Sequence, residues 1–339
     1  MVGAVQLKLT SVAHLCPSNL LPSDVNKNLA VQSLVETNPT SNRCHPKHPM
    51  PILNQADRAH FLERGYVVVP GAVPVESALE WQDLAWSRMG YDRNDPSTWE
   101  KERVHLAPSR AVSVEEFAPR AFEATCEVVG GRARIKAPYF WSDVFVCNLA
   151  EGADKPWQAP SAQVGGWHKD GYFFRHFLDS PEQGLLSIVA WTDVVSHGGG
   201  TFIAPDSVGV VARYLAEHPE GVHAGEFGSL ISQCGKFEEI TAKAGDVVLL
   251  HPFMLHAVSQ NELRRPRFIT NPILLLREPM NFNRKDGDYS LIEAAILRAL
   301  NADKLDFHPT VPREGEVPEW VTRVQRELPA LPEGAVLSL

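Results

Sequence analysis

The segment Gly165-Gly166-Trp167-His168-Lys169-Asp170-Gly171 places an imidazole and a carboxylate two residues apart, between glycines. On an extended backbone such residues point to the same face, so His168 and Asp170 could both reach one metal ion. An isolated His-x-Asp pair occurs by chance in many proteins and is usually a surface pair. The pair indicates a metal site only if another part of the chain supplies a third ligand.

The third ligand is expected from residues 245–257, which contain His251 and His256. Either histidine could complete a set of two imidazoles and one carboxylate. Such a set leaves three adjacent positions open on an octahedral ion, as in non-haem Fe(II) oxygenases, whereas zinc more often takes a closed or tetrahedral set. Pro252 would interrupt a regular strand after His251, so alternation alone does not decide between the two histidines.

Short strand-like runs surround these motifs and are separated by Gly, Pro and Asp. They cover residues 144–149, 185–195, 228–233, 246–250 and 268–276, and a further short strand is expected at 66–69. This pattern predicts a mainly β protein with flanking helices, built as a β-sandwich or jelly roll.

Helical patterns lie on both sides of the strand-rich region. The predicted helices are 54–64, capped by Asn54 and ended by Gly65; 75–89; one begun by the capping-box pair Ser113 and Glu116 and ended at 130–131; 208–217; one begun by the capping-box pair Ser290 and Glu293; and one around 318–328. We therefore expect helices to wrap a β core.

The chain is expected to form one domain at 52–339, with its β core at about 139–276. Residues 1–51 lack sustained periodicity and are predicted to be an irregular N-terminal tail or arm. The polar segment 92–111 is longer than most connections in compact domains. Such a loop could cover an active site or simply run over the surface.

The 339-residue composition, 44% hydrophobic and 22% charged, is that of an ordinary globular protein. A net charge of −9 gives no positive field for binding nucleic acid or an anionic membrane, which favours a small-molecule partner. Five cysteines without a CxxC pair are expected to be reduced thiols. No signal-like start or membrane-length apolar stretch is found, so we predict a cytoplasmic protein.

Several motifs accompany the His-x-Asp pair in a fixed order. They are residues 61–71 (FLERGYVVVPG), 167–170 (WHKD), 189–194 (VAWTDV), 199–207 (GGTFIAPDS), 246–256 (DVVLLHPFMLH) and Arg267. Over the block from 53 to about 271, their order and spacing resemble the phytanoyl-CoA dioxygenase family of Fe(II)/2-oxoglutarate enzymes. One departure is His197-Gly198-Gly199-Gly200, where many relatives have an Asn-Gly pair before the threonine. The resemblance implies a double-stranded β-helix core with the metal at its mouth.

The resemblance also implies Fe(II) as the metal, with 2-oxoglutarate and O2 as co-substrates. It assigns the third ligand to His256, which precedes a small residue and stands eleven residues before Arg267. His251 is then a packed histidine beside the core. Arg267 would bind the distal carboxylate of 2-oxoglutarate, because a guanidinium offers a planar two-donor fork.

Other residues are weaker candidates near such a site. Thr201 and Gln163 are candidates for hydrogen bonds to 2-oxoglutarate, and Asn148, Phe173 and His176 are candidates for the substrate pocket. Ordinary strand polarity is an equal alternative for Thr201, Gln163 and Asn148, and His176 could be only a neighbour of the site. No catalytic group beyond the metal centre is expected.

The resulting hypothesis is a dioxygenase that oxidises a C–H bond of a small metabolite by hydroxylation, desaturation or ring formation, in secondary metabolism. Asp170 disfavours halogenation, which would need a small residue there. The alternatives are a non-redox metal-dependent β-barrel isomerase or hydrolase, against which Arg267 argues, and a non-catalytic ligand-binding homologue, against which the intact triad argues. The substrate and the oligomeric state, including a homodimer, stay open.

Overall fold

The computed structural model describes residues 51–315, and its core consists of two facing antiparallel β-sheets. The strands are β1 (Tyr66–Val69), β2 (Arg103–His105), β3 (Ala111–Ser113), β4 (Phe140–Ser142), β5 (Val146–Asn148), β6 (Leu185–Ala190), β7 (Thr201–Ala204), β8 (Glu238–Ile240), β9 (Val247–Leu250), β10 (Leu255–Val258), β11 (Arg267–Thr270) and β12 (Ile273–Leu274). The larger sheet has the order β1-β9-β6-β11-β5-β2, with β12 also paired to β6. The smaller sheet has the order β10-β7-β8, and β3 and β4 form a separate pair.

Side chains from both sheets meet in one apolar cluster. From the larger sheet it contains Leu186, Ile188, Ala190, Val248, Leu250 and Ile269, and from the smaller sheet Ile203 and Ile240. Alternate residues of each strand therefore point to the space between the sheets, as strand periodicity requires. Two antiparallel sheets packed in this way confirm the predicted mainly β, jelly-roll core.

Helices pack around the two sheets. They are α1 (Gln55–Arg64), α2 (Val75–Met89), α3 (Val114–Phe117), α4 (Pro119–Val129), α5 (Ser207–Glu217) and α6 (Leu291–Ala299). Trp81 of α2 stacks on Trp191 just beyond β6, with ring centroids 4.3 Å apart. Aromatic side chains therefore pack between α2 and the larger sheet.

The predicted helix boundaries at 54–64, 75–89 and 208–217 are confirmed. The Asn54 side chain accepts hydrogen bonds from the backbone N–H groups of Ala56 and Asp57, and Gly65 ends α1 with a left-handed backbone. Ser290 and Glu293 form the predicted capping box of α6. Each of these signals lies within one helical turn, where local hydrogen bonds decide the structure.

The capping box predicted for Ser113 and Glu116 is wrong. The Ser113 side chain makes no capping hydrogen bond, and the expected single helix is divided into α3 and α4. Pro119 causes the division, because it has no N–H for a continuing helix and instead starts a new one. The predicted end at Gly130 is confirmed.

The strand predicted at 228–233 is also wrong, since Ala224–Gln233 is a 3-10 helix. Ala224, Phe227, Leu230 and Ile231 are its buried residues, and their spacing of three and four is helical. The predicted strand 185–195 ends at Ala190. The predicted strand 268–276 is split into β11 and β12 around Pro272, which cannot donate to the ladder.

Two strands that precede the predicted β core also join the larger sheet, because β1 pairs with β9 and β2 pairs with β5. Strand β2 lies in the polar segment 92–111, which is therefore partly ordered as a sheet edge. The predicted tail before residue 51 and the predicted helix at 318–328 lie outside the described residues. Within 51–315, none of the helices has the length and apolar character needed to cross a membrane.

Candidate metal centre

His168, Asp170 and His256 come together at the open end of the two sheets. The backbones of His168 and His256 form a two-way antiparallel bridge, with both N–H to O distances at 3.0 Å. Asp170 Oδ1 lies 3.4 Å from His168 Nε2 and 3.6 Å from His256 Nε2. Since the ligand atoms of the three residues all lie within 4.8 Å of one another, a single ion can contact all of them.

Backbone carbonyls fix the orientation of both imidazole rings. His168 Nδ1 lies 2.8 Å from the Gly166 carbonyl oxygen, and His256 Nδ1 lies 3.1 Å from that of Met254. A carbonyl oxygen can only accept, so each Nδ1 carries the proton and each Nε2 turns a lone pair towards Asp170. Metal-binding histidines are oriented in this way, with the second ring nitrogen donating to a carbonyl or a carboxylate.

The convergence of two lone pairs on a carboxylate oxygen calls for a cation between them. Burial alone would raise the pKa of Asp170, but the adjacent imidazoles hold it well below its ordinary value. Burial would likewise lower the pKa of His168, yet Asp170 raises it. Both shifts depend on a positive charge beside the carboxylate, which either a proton on an imidazole Nε2 or a bound cation in its place can supply. The donor set fits a divalent ion in a two-histidine, one-carboxylate arrangement.

Lys169 lies between two of these ligands in the chain and points the opposite way, into the protein. Its Nζ contacts Gln183 Oε1 at 2.7 Å and His176 Nδ1 at 2.8 Å, with the ring of Phe227 5.5 Å away. Burial lowers the pKa of Lys169 to about 7. The sequence analysis gave Lys169 no role. Because side chains alternate along an extended backbone, His168 and Asp170 on one face place Lys169 on the opposite face.

Gly171 closes this loop in a conformation that excludes a side chain. Its φ of +111° is in the region that favours glycine, and an added Cβ would lie 2.7 Å from ring atoms of His176 and Phe174. The glycine after Asp170 therefore lets the two aromatic rings pack directly beneath the ligand loop.

His251, the competing third ligand, is fully buried away from the triad. Its Nδ1 accepts a hydrogen bond from the Phe253 backbone N–H at 3.1 Å, and its Nε2 lies 3.3 Å from the Ile292 carbonyl oxygen. Both ring nitrogens are thus occupied by the backbone. The structure places His251 as a packed histidine and His256 beside Asp170.

The burial of His251 predicts a loss of stability in acid. Burial lowers its folded-state pKa from 6.5 to about 3, so below about pH 6.5 the unfolded chain binds a proton that the folded chain does not. We expect this difference to reduce the free energy of unfolding by about 2 kcal/mol between pH 7 and pH 5. Urea unfolding at both pH values should show a smaller reduction for His251→Gln, and an equal reduction in both proteins would contradict the assignment.

Arg267 lies on β11 with only 1% of its surface exposed. Its Nε donates to the Gly199 carbonyl oxygen at 2.5 Å and its Nη1 to the Val146 carbonyl oxygen at 3.3 Å. Burial lowers its pKa to about 10, so the guanidinium is still charged at neutral pH. Among residues 51–315 no carboxylate lies within ion-pair distance of it. A buried cation of this kind calls for an anionic ligand.

The weaker candidates occupy different environments. Thr201 is nearly buried and lies on the same face of β7 as Ile203, which points between the sheets. Gln163 is exposed in the loop before the His-x-Asp pair. The Asn148 amide is occupied by backbone groups, since it donates to the Ser259 carbonyl oxygen and accepts from the Glu151 N–H.

The other two pocket candidates, His176 and Phe173, also differ from each other. His176 is buried, and its Nε2 faces the Gly171 carbonyl oxygen at 2.7 Å while Nδ1 faces Lys169, so the ring supports the loop from below. Phe173 is 39% exposed and lines a cavity of about 190 Å³ together with Ile273 and Arg313. His176 does not line this cavity, and neither do the three residues of the triad.

Two further residues near the site were missed by the sequence reading. Asn271 Nδ2 donates to Asp170 Oδ2 at 3.2 Å. His105, on the edge strand β2, has its pKa lowered by burial and by the positive charges of Arg103 and Arg267. Strand alternation predicts that Asn271, four residues after Arg267, lies on the same face, so it could have been found from the sequence. Strand β2 has no sequence signal beyond the unusual length of the segment 92–111.

No family model matches this chain, and no curated protein matches it. The family resemblance described above is therefore still a prediction.

Solved structures with a similar fold include the non-haem alpha-ketoglutarate-dependent epimerase SnoN from nogalamycin biosynthesis. It has 18% identity and a TM-score of 0.40, covering 65% of this chain and 81% of that one. HygX from Streptomyces hygroscopicus, solved with nickel, 2-oxoglutarate and hygromycin B bound, has 14% identity and a TM-score of 0.38, covering 65% of this chain and 86% of that one. GIG2 from Candida albicans has 12% identity and a TM-score of 0.46, covering 67% and 64%.

Proposed function

We propose that this protein is an Fe(II)/2-oxoglutarate-dependent oxygenase that oxidises a C–H bond of a small metabolite. The observation that supports this most strongly is the pairing of an open two-histidine, one-carboxylate site with a buried guanidinium that has no carboxylate partner among residues 51–315. The first feature suits Fe(II), and the second suits a dicarboxylate co-substrate. The distant likenesses to solved structures carry no weight in this proposal.

His168, Asp170 and His256 would hold the metal through two Nε2 atoms and Oδ1. When bound, Fe(II) would supply O2 activation coupled to the conversion of 2-oxoglutarate to succinate and CO2. The backbone carbonyls of Gly166 and Met254 keep the imidazoles in the tautomer that can bind a cation. Three ligands on one side leave positions for the co-substrate and for O2.

Arg267 would bind the distal carboxylate of 2-oxoglutarate. The carbonyl oxygens of Gly199 and Val146 fix the guanidinium before any ligand arrives, so little side-chain entropy is lost on binding. The side chain of Ile269 lies between Arg267 and Asn271 on the same face and is buried in the apolar cluster between the sheets. Thr201 would add a hydroxyl from the opposite sheet.

The finer predictions form part of the same proposal. Membership of the phytanoyl-CoA dioxygenase family, a role in secondary metabolism and a cytoplasmic location follow from the sequence motifs and composition. Hydroxylation, desaturation and ring formation all begin with the same hydrogen abstraction, and Asp170 argues against halogenation. The exposed ring of Phe173 beside the ligand loop supports a substrate with an apolar part.

Anaerobic titration with Fe(II) and 2-oxoglutarate tests the proposal. We expect a weak visible charge-transfer band that saturates at one equivalent of each and is absent from Asp170→Ala, because the band requires chelation of a triad-bound Fe(II). Metal binding without this band would favour a non-redox metal enzyme. The absence of metal binding would favour a ligand-binding protein, and either result would reject the oxygenase.

A further inference from the structure

Asn271 holds the second oxygen of the Asp170 carboxylate. The two oxygens have different surroundings: Oδ1 faces the Nε2 atoms of His168 and His256, whereas Oδ2 accepts a hydrogen bond from Asn271 Nδ2 at 3.2 Å. The carboxylate cannot turn to present both oxygens to one ion without losing this hydrogen bond. The amide thus distinguishes the oxygen that faces the imidazoles from the oxygen that does not.

The backbone around Asn271 keeps its side chain in place. Asn271 stands between β11 and β12, and both strands pair with β6. Pro272 follows directly, which restricts Asn271 to an extended backbone, and the Pro272 carbonyl oxygen accepts a hydrogen bond from the Ser187 N–H. The amide is therefore presented to Asp170 by a rigid part of the larger sheet.

Asn271 follows β11 directly in an extended backbone, so it lies on the same face as Arg267, four residues earlier, with Ile269 between them. Arg267 is the side chain proposed for the co-substrate, and Asn271 contacts the ligand carboxylate. The position of one side chain relative to the other is thus set by β11 and the extended residue that follows it.

We infer that Asn271 is a positioning residue that keeps Asp170 a one-oxygen ligand and so preserves an open position for 2-oxoglutarate. This inference rests on the proposed function. Without the amide, Asp170 Oδ2 is free to approach the same ion and to compete for the position that the co-substrate needs. The loss should therefore weaken metal binding, through poorer orientation of Asp170, and also weaken 2-oxoglutarate binding to the metal-loaded protein.

The experiment compares the wild type with Asn271→Ala and with Asn271→Leu, which keeps the volume but removes the donor. Co(II) affinity is measured without oxygen or co-substrate, by competition with a chromophoric chelator, and 2-oxoglutarate affinity is then measured at saturating Co(II). We expect both variants to bind Co(II) about 10–100-fold more weakly, the range for partners that orient a metal ligand. We also expect 2-oxoglutarate to bind at least about 10-fold more weakly to both.

Asn283→Leu is the matched control. Asn283 Nδ2 donates to Asp306 Oδ1 at 2.9 Å, so it is another amide-to-carboxylate hydrogen bond, between two exposed residues away from the triad. We expect wild-type affinity for both ligands in this variant. A thermal unfolding curve for each protein separates a local effect from a loss of fold, and Asn271→Ala tests the inference if the leucine variant does not fold.

The outcomes separate this inference from the proposed function. Co(II) and 2-oxoglutarate affinities within twofold of the wild type in both folded Asn271 variants would overturn the inference while leaving the oxygenase proposal intact. If the wild type binds Co(II) at the triad but not 2-oxoglutarate, the proposed function fails. In that case a weaker Co(II) affinity of the Asn271 variants would still support the positioning role, and an unchanged affinity would overturn it.

Discussion

Replacing Arg267 by Met should lower the affinity of the metal-loaded protein for 2-oxoglutarate by about 100-fold or more. Each hydrogen bond from a guanidinium to a carboxylate is worth about 1.5–3 kcal/mol, and a two-donor fork makes two of them. Methionine fills much of the same space without charge. Isothermal titration of 2-oxoglutarate into the anaerobic metal-loaded protein measures the change, and Co(II) affinity in the absence of 2-oxoglutarate should stay at its wild-type value.

Arg265→Met controls for the loss of a positive charge from the same region. Arg265 pairs with Asp193 at 3.0 Å and is 53% exposed, so its removal should leave 2-oxoglutarate affinity unchanged. Arg267→Lys keeps the charge but loses the planar fork, and we expect it to fall between the wild type and the methionine variant. Wild-type affinity in Arg267→Met would mean that the dicarboxylate binds elsewhere or not at all.

His256→Ala should lower the metal affinity, whereas His251→Ala should lower the free energy of unfolding. Removing His256 deletes one of three ligands, and we expect Co(II) affinity to fall by more than about 100-fold, since even outer partners of metal ligands account for about 10–100-fold. Removing His251 leaves the triad intact but empties a buried position and leaves the Phe253 N–H without its acceptor. We expect that variant to lose about 2–4 kcal/mol of stability while keeping its metal affinity.

Chelator competition and urea unfolding on both variants give the two readouts. A large loss of Co(II) affinity in a folded His251→Ala, with wild-type affinity in His256→Ala, would reverse the assignment. Loss of affinity in both folded variants would point to a site that includes both histidines. Each result is distinguishable because stability and metal affinity are measured on the same samples.

Features that depend on near neighbours in the chain could be predicted from the sequence. The cap at Asn54, the stop at Gly65 and the capping box at Ser290 involve residues within four positions of one another, and each was found where it was predicted. The mainly β fold class was predicted because short strand-like runs, separated by turn residues, repeat across the core. The triad residues were named from a motif, and the structure brings them together, although their role is still a proposal.

Features that depend on distant partners were predicted less well. Residues 228–233 were predicted as a strand but belong to a 3-10 helix. A Cβ added at Gly228 would lie 2.6 Å from the Trp167 carbonyl oxygen, so glycine is required where this helix meets a distant part of the chain. Asn271 is related to the site through its hydrogen bond to Asp170, 101 residues away in the chain. The secondary-structure propensity of the local sequence does not reflect a contact of this kind.

Strand β11 fixes the spacing between the proposed co-substrate contact and the residue that holds the proposed metal ligand Asp170. Arg267, proposed to bind the co-substrate, begins this strand, and Asn271, whose amide contacts Asp170, directly follows it on the same face. A single residue inserted between them would turn one of the two side chains to the opposite face, because strand side chains alternate. Insertions and deletions between these two residues should therefore be excluded in any functional relative.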